Sequence, residues 1–225
     1  VARRAFGEKR PWLVSLIAPA GTGKTRLLEE FLDHLARQSN PPRVATAQCL
    51  PYGQQLTYWP MRQVLFNLSG VSEDAPAEEI RASTRQWLRS LQVEDADRVA
   101  ELLAATVGAG AEEAPDRNFL FAAWRTAIEA VSRVAPLVVV FEDLHWSSES
   151  LLDLVEYLMQ PRGEAQVLMV ALTRPALPDR RPGWGGGRRH HLVPPLRPRA
   201  PPPIPPPVRP PPRPAPPAPL PPPPP

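Results

Sequence analysis

The chain has 225 residues, 43 % of them hydrophobic, which is room for one ordinary α/β domain and its core. Most of its 34 prolines come after His191, so the folded part is expected to end near there; Asp179 is the last acidic residue, so the net charge of +3 does not describe a basic globular part. Cys49 is the sole cysteine, which excludes an internal disulfide and a multi-thiolate zinc site and fits a reduced, cytoplasmic setting, and apolar runs as short as Trp12–Ile17 and Pro136–Phe141 are too short to span a bilayer.

Only Lys9 and Lys24 are lysines, and with the richness in Ala, Arg and Pro this points to a GC-rich bacterial coding sequence. The start Val1-Ala2-Arg3-Arg4 leads into no signal-peptide core, and a chain opening on Val about ten residues before its first strand is expected to lack its natural N-terminus. Trp12–Ile17, mostly apolar and stopped by a Pro/Gly segment, predicts a strand buried on both faces. Leu27, Leu28, Phe31, Leu32 and Leu35 then recur at helical spacing and predict an amphipathic helix that ends before Asn40-Pro41-Pro42.

Val44–Gln48 reads as a second strand and Pro51-Tyr52-Gly53 as a turn, followed by a helix with Pro60 in its first turn. Two or three helices are expected from there to about Val107, one of them started by Ser72-Glu73-Asp74. Phe119, Leu120, Ala123, Trp124, Ala127, Ile128 and Val131 form a further helical stripe. Pro136–Phe141 is the strongest strand, β-branched in its middle and ending in Glu142-Asp143. A helix over Glu149–Met159 and a fourth strand over Gln166–Leu172 complete an alternation that implies a parallel sheet covered on both faces.

Between the first strand and its helix lies Ala18-Pro19-Ala20-Gly21-Thr22-Gly23-Lys24-Thr25. Phosphates carry dense negative charge, and a run of backbone N–H groups leading into a helix N-terminus binds them with little reorganisation. Gly21 and Gly23 allow the loop to wrap closely, Lys24 would reach the β- and γ-phosphates, and the Thr25 hydroxyl would join a magnesium coordination sphere, with Thr22 and Arg26 beside them. The P-loop pattern wants Gly where Ala18 stands, a small change expected to be accommodated at modest strain.

The ligands that follow are ATP and Mg2+, and the fold class is α/β: a P-loop NTPase three-layer fold with a mostly parallel sheet, a helical insertion between the second and third strands and a disordered Pro-rich C-terminal tail. Hydrolysis also needs carboxylates at a neighbouring strand tip, to hold magnesium and to orient or deprotonate water, and Glu142 and Asp143 sit where such groups belong. Arg174, after Thr173 at the end of the fourth strand, is either a sensor of the γ-phosphate or a solvated charge. Trp146 is read as a packing residue and His145 as a local hydrogen-bonding one.

Val138–Ser147 resembles the Walker B segment of bacterial AAA/STAND-type ATPase modules, a run of aliphatics, two acids, then Leu-His-Trp; here Ser147-Ser148 replaces the usual Ala-Asp. Gln48–Gly53, followed by Thr57-Tyr58-Trp59-Pro60, is similar to the second-strand region of the version found behind class III adenylate/guanylate cyclase domains, and the module also occurs in LuxR-type regulators. The resemblance covers roughly Leu13 to Leu192, including Thr173-Arg174-Pro175 and the Pro182–Arg189 loop. It implies an ATP-dependent switch, Lys24 and Thr25 as Walker A lysine and magnesium ligand, Glu142 as the acid nearer magnesium, Asp143 as the candidate base and Arg174 as a sensor arginine. The implied partners are regulatory or cyclase domains of a parent protein.

Residues 1–193 are thus read as the ATPase domain and 194–225 as a Pro/Arg tail, able to form only polyproline II or coil. Pro198–Pro201 and Pro207–Pro210 would serve as P-x-x-P ligands for an adaptor; the favoured reading is a frameshift or truncated gene, beginning where a lid domain belongs. A small-molecule kinase shares the P-loop, but no acceptor site or Arg-rich lid is recognisable. Direct contact with nucleic acid ranks lower, because the arginines are scattered and no base-stacking motif accompanies them.

Overall fold

The computed structural model describes residues 1–51, 57–109, 115–160, 162–187 and 189–193. Five strands, β1 (Trp12–Ile17), β2 (Arg43–Gln48), β3 (Leu137–Glu142), β4 (Val167–Thr173) and β5 (His190–Val193), form one sheet in the order β2-β3-β4-β1-β5. Every pairing is parallel. Tyr52 and Gly53 of the expected turn, and the whole tail from Pro194, lie outside the described residues.

Alternation along β3 sorts its side chains onto two layers. Leu137, Val139 and Phe141 join the larger core cluster, beneath α3 (Trp59–Ser69), α4 (Ala77–Ser90), α5 (Ala96–Thr106), α6 (Arg117–Val134) and α7 (Glu149–Met159). Val138 and Val140 face the opposite layer, with Ala5 of α1 (Ala2–Gly7) and Leu28 and Leu35 of α2 (Lys24–Ala36). The result is the three-layer α/β fold, with the helical insertion α3 to α6 between β2 and β3.

Three local expectations are corrected. Leu27 and Phe119, read as parts of buried stripes, are 40 % and 53 % exposed; Phe119 instead lies under the guanidinium of Arg98, 5.0 Å from the ring centre. Ser72-Glu73-Asp74 does not open a helix: α4 begins at Ala77, after Pro76, because a residue before proline is biased out of the helical region. The short helices α1 and α8 (Ala176–Arg180) and the strand β5 carry too little periodicity to be read from the sequence.

Strand β5 is held by a polar network rather than by an apolar run. Trp184 Nε1 donates to Ser15 Oγ at 3.1 Å, and Ser15 Oγ meets His190 Nε2 at 2.7 Å, with the Trp184 and His190 rings edge to face at 5.6 Å. Gly185, at φ +90, is required here, since a Cβ would stand 3.0 Å from the His190 ring as well as adopting a strained backbone. Burial lowers the His190 pKa from 6.5 to about 4, with His191 adding to the shift.

Between those two values the unfolded chain binds a proton that the folded chain refuses. The contribution of His190 is therefore complete above pH 6.5 and falls away as the pH drops towards 4. Thermal unfolding followed from pH 7 to pH 4.5 is expected to show a steeper loss of Tm for the wild-type chain than for His190→Gln.

Candidate functional site

The site forms where the carboxyl ends of β1, β4 and β3 meet, with β4 in the middle. Register places Ile17 beside Thr173, and Phe141 beside Ala171, so the loop after β1 and the acids ending β3 flank the residue that follows β4. The Ala18 amide extends the β1–β4 ladder by donating to Thr173 O at 3.2 Å. Ala18 itself is buried, and it is not among the residues with positive φ, which is why Ala replaces Gly there without the expected strain.

Gly21 and Gly23 have φ of +75 and +84, the left-handed region that costs a side-chain-bearing residue energy. A Cβ at either would meet nothing within 4 Å, so backbone angle rather than crowding requires glycine. Gly23 is the N-cap of α2, and no side chain caps the helix or places an acid in its first turn. Side-chain caps occur at two helices, α7, where Ser148 Oγ accepts from Leu151 N, and α6, where Asp116 accepts from Asn118 N; α1, α3, α4, α5 and α8 share with α2 the lack of one. The N-terminus of α2 therefore presents free N–H groups and a positive dipole end, the arrangement that takes an anion.

Lys24 Nζ lies over the loop and donates to Ala18 O at 2.8 Å and Pro19 O at 2.9 Å. Burial lowers its pKa from the ordinary lysine value; the Asp143 carboxylate opposes the shift and Arg174 adds to it. An anion arriving at the loop would reverse that shift. Thr22 Oγ1 donates to Pro19 O at 2.8 Å and helps fix the loop.

A cleft of about 400 Å³ joins Gly21 to Thr25 with Glu142, Asp143 and Arg174. Ala20 and Leu172 also line it; Leu172 could be found only once the sheet order put β4 between the loop and the acids. Of the residues read as cofactor-binding, Ala18 sits beneath the loop and Arg26 is exposed on α2, and neither lines the cleft.

Glu142 is the last residue of β3, and its carboxyl pKa is raised by burial, by Asp143 and by Glu29 of α2. Such crowding of carboxylates favours a cation between them. Among the described residues no group of three or more His, Cys, Asp or Glu could hold a metal alone. Magnesium is commonly bound through one or two carboxylates together with phosphate and water. The donor set of Thr25, Glu142 and Asp143 on one cleft fits Mg2+ carried by a nucleotide.

Behind the cleft, Asp143 has φ +51 and starts a 3-10 turn over Leu144–Trp146. Arg180 of α8, which the sequence reading missed, donates from Nη1 to His145 O at 3.2 Å and from Nη2 to Ser147 O at 3.0 Å. Arg181 next to it reaches Glu149, Asp153 and Glu156 of α7 and ties α8 down. His145 departs from expectation: its imidazole is buried, yet neither ring nitrogen has a hydrogen-bond partner. Burial, then Arg174, lower its pKa, with Asp143 opposing. Trp146 packs against the core as expected. Cys49 is buried, its thiol pushed up to about 12 by burial and by Asp143, which keeps it protonated.

The family model described as AAA ATPase domain matches residues 3–170. The chain belongs to this family. An uncharacterised protein of Rhizobium meliloti (strain 1021) is 27 % identical over 172 residues, covering 73 % of this chain and 16 % of that protein. The chain thus spans a small part of the length of this relative.

Substituting Gly23→Ala is expected to lower folding stability by about 1–2 kcal/mol, the cost of holding a Cβ-bearing residue in the left-handed region. Chemical denaturation of the two proteins measures it.

Proposed function

We propose that the chain is an ATP-binding switch module of a bacterial signalling protein, related to those linked to adenylate/guanylate cyclases or found in LuxR-type regulators. One observation carries this reading: the uncapped N-terminus of α2, the Lys24 ammonium and the Glu142-Asp143 pair converge on one cleft. The family match supports it, as does the much greater length of the Rhizobium meliloti relative, in which the aligned region is one part among others.

In this reading the loop from Gly21 to Lys24 holds the phosphates through backbone N–H groups, and Lys24 exchanges two loop carbonyls for phosphate oxygens. Thr25 and Glu142, with Asp143 beside them, would hold magnesium. Bound Mg2+ would neutralise phosphate charge and polarise the terminal phosphoryl group. Asp143 takes the proton of the attacking water, and Arg174 faces the terminal phosphate from the end of β4. Turnover is slow, the protein works in the cytoplasm, and its partners are regulatory or cyclase domains of the parent chain. Neither a membrane nor nucleic acid is among the proposed partners. No helix among the described residues is long and apolar enough to cross a membrane.

Titration of the chain with a fluorescent ATP analogue and Mg2+ is expected to give saturable binding that Lys24→Ala weakens at least tenfold. Equal affinity for the two proteins would remove the nucleotide from the cleft. In a steady-state phosphate-release assay at saturating nucleotide, Asp143→Ala is expected to lower turnover by about 10²-fold or more, the usual size of a lost general base, and to lose Mg2+-dependent affinity while metal-free binding persists.

A further inference from the structure

The 3-10 turn behind the cleft is held through its main chain, while two of its buried side chains, His145 and Ser147, have polar atoms without hydrogen-bond partners. Trp146 N donates to Asp143 O at 2.9 Å, Ser147 N to Leu144 O at 3.0 Å, and the Arg180 guanidinium grips the carbonyls of His145 and Ser147 while its Nε reaches Glu149 Oε1 at 3.1 Å. The turn is thus pinned to both α8 and the start of α7. Inside it the His145 side chain is 4 % exposed, packed against the Trp146 ring at 4.9 Å, with both nitrogens unpartnered.

A buried imidazole without a hydrogen bond is costly and calls for a partner. Among the described residues one carboxylate lies within 4 Å of it: Asp143 Oδ1, 3.9 Å from Nδ1. Asp143 lines the cleft and His145 does not, so the carboxylate stands between the cleft and the imidazole. Asp143 also has a left-handed backbone, φ +51, which aspartate adopts more readily than most residues and which turns its side chain out of the strand's alternation.

We propose that His145 is the positioning residue for Asp143: a small turn of the carboxylate closes the 3.9 Å gap to a hydrogen bond donated by Nδ1–H, and this fixes the carboxylate for the metal-nucleotide complex. The inference rests on the reading of the cleft as an Mg2+-ATP site. It assigns His145 a role through Asp143 and no contact with the nucleotide. Outer-layer hydrogen bonds to metal-binding carboxylates typically govern affinity or activity by about 10–100-fold.

The test compares wild type with His145→Asn, His145→Gln and His145→Leu in the full chain. The affinity for a fluorescent ATP analogue is measured with Mg2+ and with EDTA, and thermal unfolding reports folding. Asparagine places its amide nitrogen where Nδ1 stands and glutamine where Nε2 stands. Asn is expected to keep most of the Mg2+-dependent gain in affinity, whereas Gln and Leu lose it by about 10–100-fold, with the loss confined to the Mg2+ arm. A His145→Leu or His145→Gln chain with the wild-type gain overturns the proposal. So does an Asn variant as deficient as Gln, a comparison that survives even if the Leu variant fails to fold. Lys24→Ala in the EDTA arm separates the two readings: affinity equal to wild type there overturns the nucleotide site itself, and the proposal with it.

Discussion

The structure depends on the ladder between β1 and β4. Because β4 lies between β1 and β3, and because the Ala18 amide carries the ladder one bond beyond Ile17 to Thr173 O, the phosphate-type loop starts at a fixed height above the sheet. Everything charged in the site is placed relative to that point. Glu142 and Asp143 arrive from one side of β4, Lys24 from the other, and Arg174 follows β4 itself. A parallel sheet delivers all three strand ends to the same edge, which is why groups more than a hundred residues apart in sequence share one cleft.

That edge is electrostatically unsettled, and the imbalance has a direction. Lys24 is pulled below its ordinary pKa by burial, Glu142 is pushed above its own by burial and by two neighbouring carboxylates, and the N–H groups at the start of α2 have no side-chain cap. An anion on the loop with a cation before the acids relieves all of these together. Beside the cleft, Ser148 caps α7 where the resembled segment usually has Asp, and Arg181 pairs with three acids of α7.

Support for the acids comes from a layer that does not line the cleft. Arg180 fixes the turn through main-chain carbonyls, so the turn's geometry depends on α8, a five-residue helix after β4. Since β4 also leads to Arg174, both the acids and this cleft arginine are tied to the same segment. A shift of α8 would be felt at His145 and Ser147, which gives a physical route by which contact elsewhere could alter the site.

The sequence by itself determined the elements with strong periodicity and the tight glycine turns of the loop. Trp12–Ile17 was legible to the residue, the apolar runs around β3 and β4 and the stripe of α7 came within a residue of their observed ends, and Gly21 and Gly23 marked the tight turns that lead into α2. Only the tertiary structure decided the strand order, and with it that Leu172 joins the cleft and that Arg174 stands between the loop and the acids. Local patterns record burial and backbone preference, which propagate over a few residues. The grip of Arg180 on the turn, the Ser15–His190–Trp184 network and the closeness of His145 to Asp143 depend on how α8, β5 and β3 pack, and no periodicity in the chain encodes such contacts.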